Sequence, residues 1–133
     1  MSQEIRKAFE VALAAMLPAL PTVYENRNPP AGFDATKPHQ KCWLLPAENR
    51  SLGLKQKTTL QTGTFQVNLC YPSGIGTVDA NQRAAALQTT FYAGRELVAD
   101  GVRVRVKGKP SIAAASSLSP YTVPVSIRYE SYN

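Results

Sequence analysis

The sequence predicts an α+β fold: a mainly antiparallel sheet with two helices packed on one face, in a single domain over residues 1–133. Three observations predict it. Segments 3–17 and 78–91 repeat apolar residues at the helical period. Segments 62–71, 102–107 and 122–129 alternate apolar with polar residues, the period of a strand covered on one face. Asp100-Gly101, a favoured hairpin pair, joins two strand candidates and makes them antiparallel neighbours. A chain of 133 residues fits one domain, and no internal repeat divides it.

In chain order, Ile5, Ala8, Phe9, Ala12, Leu13 and Met16 form the stripe of the first helix, with Ser2 placed to cap it. Pro18 and Pro21 stop it. Thr22-Val23-Tyr24-Glu25 is a short strand candidate, and 26–39, with Pro29, Pro30, Gly32 and Pro38, is a loop. Gln40 to Pro46 carries Cys42, Trp43, Leu44 and Leu45 and reads as a strand buried on both faces. Residues 47–61 are polar and read as a long loop. Phe65, Val67, Leu69 and Tyr71 alternate with Thr64, Gln66, Asn68 and Cys70 in the clearest strand. Thr77 is placed to cap the second helix, whose stripe is Ala80, Ala84, Leu87 and Phe91. Leu97-Val98 forms a short strand before the Asp100-Gly101 turn, and Val102, Val104 and Val106 face the core from the next. Residues 108–120 are a second loop. Val123, Val125, Ile127 and Tyr129 line the last strand, which Pro124 places at an edge or with that position turned from a partner.

Several function classes are poorly served by this residue set. No apolar run reaches the ~20 residues that cross a bilayer, and the first 20 residues lack the apolar run of a signal peptide, so we expect cytoplasmic synthesis and no membrane partner. Cys42 and Cys70 are expected to be buried, reduced core thiols. With one histidine and two cysteines no metal cage suggests itself, and no cofactor is expected. Ser73-Gly74-Ile75-Gly76-Thr77 lies between a strand and a helix, where a phosphate loop would sit, but Asp79 replaces the third glycine. A plain turn is the better reading. His39, three residues from Cys42, lacks a third orienting group for a nucleophilic triad and reads as a loop histidine. The carboxylates are scattered, with Glu4, Glu10, Glu96 and Asp100 as surface charges. Nothing here makes an acid–base pair, so no enzyme is expected. Trp43 reads as core before interface anchor.

The net charge is +6. Arg103, Arg105 and Lys107 share one strand face, with Lys109 continuing the phase and Arg128 possible alongside. Three readings stand: a solvated face, a subunit interface pairing these cations with acids, and a DNA-facing surface with salt-dependent binding. The stripe holds no aromatic platform for stacked bases.

Five segments, in order, resemble the tail-terminator-like family of long-tailed phages and related prophages. They are Leu20-Pro21-Thr22-Val23-Tyr24-Glu25-Asn26, Leu44-Leu45-Pro46-Ala47-Glu48, Gly63-Thr64-Phe65-Gln66-Val67-Asn68-Leu69-Cys70-Tyr71-Pro72, Gly101-Val102-Arg103-Val104-Arg105-Val106 and Val123-Pro124-Val125-Ser126-Ile127-Arg128-Tyr129. The resemblance implies a small structural α+β subunit that forms a hexameric ring on the finished tail tube and offers a surface for head attachment. It implies three partners: further copies of the chain, the tail tube protein and the head–tail connector, with non-specific DNA contact in the lumen as a further possibility. It implies no catalytic residues. The loops at 26–39, 47–61 and 108–120 are candidates for axial contacts. Lys55, Gln56 and Lys57 form the candidate tube or connector loop, although no family pattern accounts for the two lysines. Rival readings are another neck or tail-completion protein and a basic nucleic-acid-binding module.

Overall fold

A computed structural model describes residues 2–47, 50–52, 58–116 and 120–132. The order is α1 (Ser2–Ala14), β1 (Thr22–Val23), β2 (His39–Pro46), β3 (Arg50–Leu52), β4 (Thr58–Tyr71), α2 (Val78–Thr90), β5 (Glu96–Ala99), β6 (Val102–Val106), β7 (Ser111–Ile112) and β8 (Tyr121–Tyr132). The eight strands among the described residues belong to one sheet, ordered β1-β2-β4-β8-β6-β5, with β3 added to β4 and β7 to β8. Every pairing is antiparallel except β1 with β2. The fold is therefore α+β and dominated by its sheet.

Register explains the core. Leu44, Phe65 and Ile127 lie side by side across β2, β4 and β8, as do Cys42, Val67 and Val125, and Gln40, Leu69 and Val123. Alternation puts each row on one face. Ile5, Phe9 and Leu13 of α1 and Ala80, Ala84 and Leu87 of α2 join the same buried cluster. Phe9 sits at its centre, stacked on Phe65 with ring centroids 4.8 Å apart and tilted against Tyr129 at 5.6 Å and Phe91 at 5.8 Å. Packed rings of this kind add about 0.5–1.5 kcal/mol per pair beyond the area they bury.

Several expectations need correction. Segment 47–61 is not one long loop: Arg50–Leu52 pairs with Thr58–Leu60, extending β4 to 14 residues. Polar strand residues gave no alternation to read. Segment 108–120 contains β7, and Ser116 bridges to Thr122. β8 is interior, between β4 on one side and β6 and β7 on the other, so of the two readings for Pro124 the edge strand fails. Pro124 is tolerated there because its carbonyl accepts from Ala113 N at 2.9 Å, just past the end of β7. Its missing N–H points the same way, just beyond the end of β7 and not into the β4–β8 ladder. α1 ends at Ala14, before Met16, which is buried beyond the helix. Thr77 holds the N-cap position of α2 without a side-chain cap bond. The Ser2 hydroxyl lies outside the described side chains.

β2 is buried on one face more than on both. Cys42 and Leu44 face the core, whereas Trp43 is half-buried on the other side and Leu45 is exposed. β1 is only two residues long, so it leaves the outer edge of β2 uncovered beyond it. There Glu25 Oε1 accepts from Leu44 N at 2.9 Å, a carboxylate standing in for a strand carbonyl.

Candidate functional site

The basic stripe lies on the face opposite the core, but it is not a free row of cations. β6 buries Val104 and Val106 and turns Arg103 and Arg105 outward. Register sets Glu96 of β5 and Glu130 of β8 on either side of Arg105. Arg105 Nη1 lies 3.8 Å from Glu130 Oε1, and Arg103 Nη1 lies 3.5 Å from Glu96 Oε2. The acids that answer these arginines come from the same chain. With both arginines exposed, pairs of this kind are worth about 0–1 kcal/mol, although Glu130 itself is largely covered, so they order the face more than they stabilise it. Lys107 follows β6, its N–H donating to Arg128 O at 2.9 Å. Arg128 is exposed on β8. Lys109 does not continue the strand phase, because β6 ends at Val106 and Gly108, with φ +73°, turns the chain before it. Lys55, Gln56 and Lys57 lie outside the described residues.

Next to the stripe the outer face is polar and satisfied. Ser126 Oγ donates to Gln66 Oε1 at 2.7 Å, and Gln66 Nε2 donates to Asn68 Oδ1 at 3.0 Å. Trp43 pairs with Gln66 in register and is the large apolar group on this patch. Along α1, Arg6 pairs with Glu25 at 3.3 Å, Lys7 with Asp100 at 3.2 Å and Arg27 with Glu10 at 4.0 Å, around an open groove of about 500 Å³. Burial pushes the Glu10 carboxyl above its usual range, against the pull of Arg27 and Arg6.

The reactive side chains are occupied structurally. His39 is the first residue of β2, buried rather than on a loop. Its Nδ1 lies 2.8 Å from Lys37 O and its ring meets Phe33 edge-on at 5.0 Å. A carbonyl can only accept, so Nδ1 carries the proton in that contact. Cys42, three residues along the strand, falls on the other face. Burial, then the Glu10 and Glu25 carboxylates, push the Cys42 thiol up to about 12, the reverse of an activated nucleophile. Cys70 is buried too, and neither cysteine is in a disulfide. No metal-ligating cluster occurs among the described residues. Among them, too, no helix is long and apolar enough to cross a membrane.

One polar residue escaped sequence reasoning. Arg83 is buried on α2, where its Nη1 donates to Pro18 O at 2.7 Å and its Nη2 to Gln40 Oε1 at 3.4 Å. Gln40 Nε2 in turn donates to Thr22 Oγ1 at 2.9 Å, and Thr22 Oγ1 to Leu20 O at 2.9 Å. The chain of bonds ties α2 to β2, β1 and the link after α1. Position 83 lies three residues after Ala80 and four before Leu87, so helical spacing alone puts it on the buried side.

A family model described as phage tail terminator protein matches residues 4–129, from the first turn of α1 into β8. The chain belongs to the phage tail terminator family. Five solved chains match it. One of them is 29% identical with a TM-score of 0.78, and the match covers 98% of this chain and 95% of that one. No curated protein matches. The family is one of structural tail proteins rather than enzymes, which makes the chain a structural component of a phage tail that contacts other tail components.

Proposed function

We propose that the chain works as a single domain that assembles into a ring, six subunits around, on the end of the phage or prophage tail tube. The ring stops tube elongation and offers the surface to which the head joins. Assembly takes place in the host cytoplasm. The observation that carries this reading is the family match along 4–129.

The physics of the role is self-association around an axis. A head-to-tail contact closes into a ring when its rotation divides a full turn. In this reading both helices cover the core face, which leaves the opposite face and the loops to make contacts. Arg103, Arg105, Lys107, Lys109 and Arg128 then face a neighbouring subunit or the lumen, and Lys55, Gln56 and Lys57 touch the tube or the connector. The acids between the arginines favour a protein neighbour over DNA, since a phosphate backbone is repelled by Glu96 and Glu130.

The test is deletion of the gene from the phage followed by electron microscopy of tails. Tails of uncontrolled length that fail to join heads are expected. Normal-length, head-joined tails would end the proposal. Pull-down with purified tube protein separates the terminator from a neck or tail-completion protein, which would bind the connector alone.

A further inference from the structure

Arg83 lines a cavity of about 300 Å³ between α2 and the link from α1 to β1. Its rim and walls include Leu17, Pro18, Leu20, Tyr71 and Ala86, so the surroundings are mostly apolar. The residue is only 6% exposed. Both bonds to its terminal nitrogens go to neutral acceptors, Pro18 O and Gln40 Oε1. Nε is buried with no acceptor. A guanidinium has five donor hydrogens, and these contacts use two of them. No described carboxylate forms an ion pair with it. A buried charge without a counter-charge is costly, and proteins almost always pair one. Asp79, one turn earlier on α2, lines the same cavity but stays exposed.

We propose that this cavity is a docking site for an acidic side chain, an aspartate or glutamate that a partner protein presents beside an apolar residue. The carboxylate takes the terminal N–H donors of Arg83 that Pro18 O and Gln40 Oε1 leave free, and the apolar neighbour covers Leu17, which is 85% exposed at the rim. Charge complementarity argues for this occupant: the wall supplies apolar area, and the one missing chemical group is an anion. A fork of guanidinium donors matches a planar carboxylate. The cavity is too small for a folded element and wide enough for one or two side chains.

The site is tested by titrating the isotope-labelled full chain with acetyl-leucyl-glutamyl-methylamide and with its glutaminyl analogue. Nuclear magnetic resonance of the Arg83 Nε–H and of the Leu20 and Ala86 amides gives the readout. The glutamyl peptide should shift all three saturably. The glutaminyl peptide should bind about tenfold more weakly, the worth of one charge-assisted hydrogen bond. Asp79→Asn removes a repelling charge from an exposed position and should tighten glutamyl binding roughly threefold, an effect that a purely structural Arg83 would not produce. Arg83→Met should abolish binding; if that variant fails to fold, the wild-type and Asp79→Asn titrations decide. Equal response to the two peptides overturns the proposal, as does no movement at Arg83. Inorganic phosphate acting as strongly as the glutamyl peptide overturns it too, by showing a general anion site. None of these outcomes depends on tail length or ring formation, so the site and the terminator role fail separately.

Discussion

Gly63→Ala isolates a contact that no alternation pattern reveals. Gly63 sits in β4 opposite Tyr129 of β8 and Pro46 of β2. A Cβ built there would lie 2.5 Å from the Tyr129 hydroxyl oxygen, 2.8 Å from its Cζ and 2.6 Å from Leu45 O. The tyrosine is 2% exposed and belongs to the Phe9 cluster, and the carbonyl belongs to a paired strand, so neither can swing aside as a surface side chain would. Overpacking of this kind costs about 1–3 kcal/mol. A lower unfolded-state entropy returns about 0.4–1 kcal/mol, leaving a net loss of roughly 1–2 kcal/mol. At ~2.1 cal/mol/K per residue, a chain of 133 residues loses about 4–7 °C in Tm. Thermal melts by circular dichroism at one fixed protein concentration measure it. Repeating the substitution in a Tyr129→Phe background removes the nearest atom and should recover part of the loss, leaving the ring Cζ and the Leu45 carbonyl as the remaining obstructions. An unchanged or raised Tm for Gly63→Ala refutes the close approach across β4.

Phe9→Ala removes the ring that touches Phe65, Phe91 and Tyr129 and should cost about 3–5 kcal/mol, read from urea unfolding; a cost under 1 kcal/mol would contradict its central place. An Arg105–Glu130 double-mutant cycle should give a coupling of about 1 kcal/mol or less that fades with salt, because Arg105 is mostly exposed. Cys42 should stay silent to a thiol reagent at pH 8 in the native protein and react once urea unfolds it, since its thiol is pushed up to about 12. Burial raises the Glu10 carboxyl in the folded state, so its contribution favours folding below its unfolded pKa and is lost as pH rises through the folded value. Glu10→Gln should therefore melt like wild type in acid and above it at neutral pH, and a variant that melts lower at pH 7 would show the Arg27 and Arg6 pairings winning instead.

What the sequence made legible is what chemistry makes unequal. In β4 and β8 the core positions are Phe65, Val67, Leu69, Val123, Val125 and Ile127, and their neighbours Gln66, Asn68 and Ser126 are polar, so period two stands out. α1 was legible for the same reason. The pairing of 50–52 with 58–60 was not, because β3 and the start of β4, Arg50-Ser51-Leu52 and Thr58-Thr59-Leu60, pair through their backbones without alternating by polarity. Lys109 followed the phase of Arg103 to Lys107 in sequence, yet the Gly108 turn breaks that phase, and spacing alone does not register a change in φ. Arg83 was missed through its residue type: an arginine is read as exposed unless its position is weighed against Ala80 and Leu87.

The surface role was least legible, and the outer face of the single chain shows why. A catalytic site concentrates unusual groups, so reactive residues announce it in the sequence. Here His39 is held by Lys37 O and Phe33, and Cys42 is pushed towards its neutral thiol, so neither reports function. In the proposed role, by contrast, an assembly face has to remain hydrated before it meets its partner. Glu96 and Glu130 beside Arg103 and Arg105 do that, as does the Gln66–Asn68–Ser126 network: each polar group already has a companion in its own chain. Such a face resists non-specific sticking, and it looks in sequence like any solvated strand. Arg83 departs from that rule. Its charge is buried without a described counter-charge and its Nε without an acceptor, and although its terminal nitrogens tie α2 to β2 and to the link after α1, that unmet polarity is a sharper pointer to a contact than surface charge.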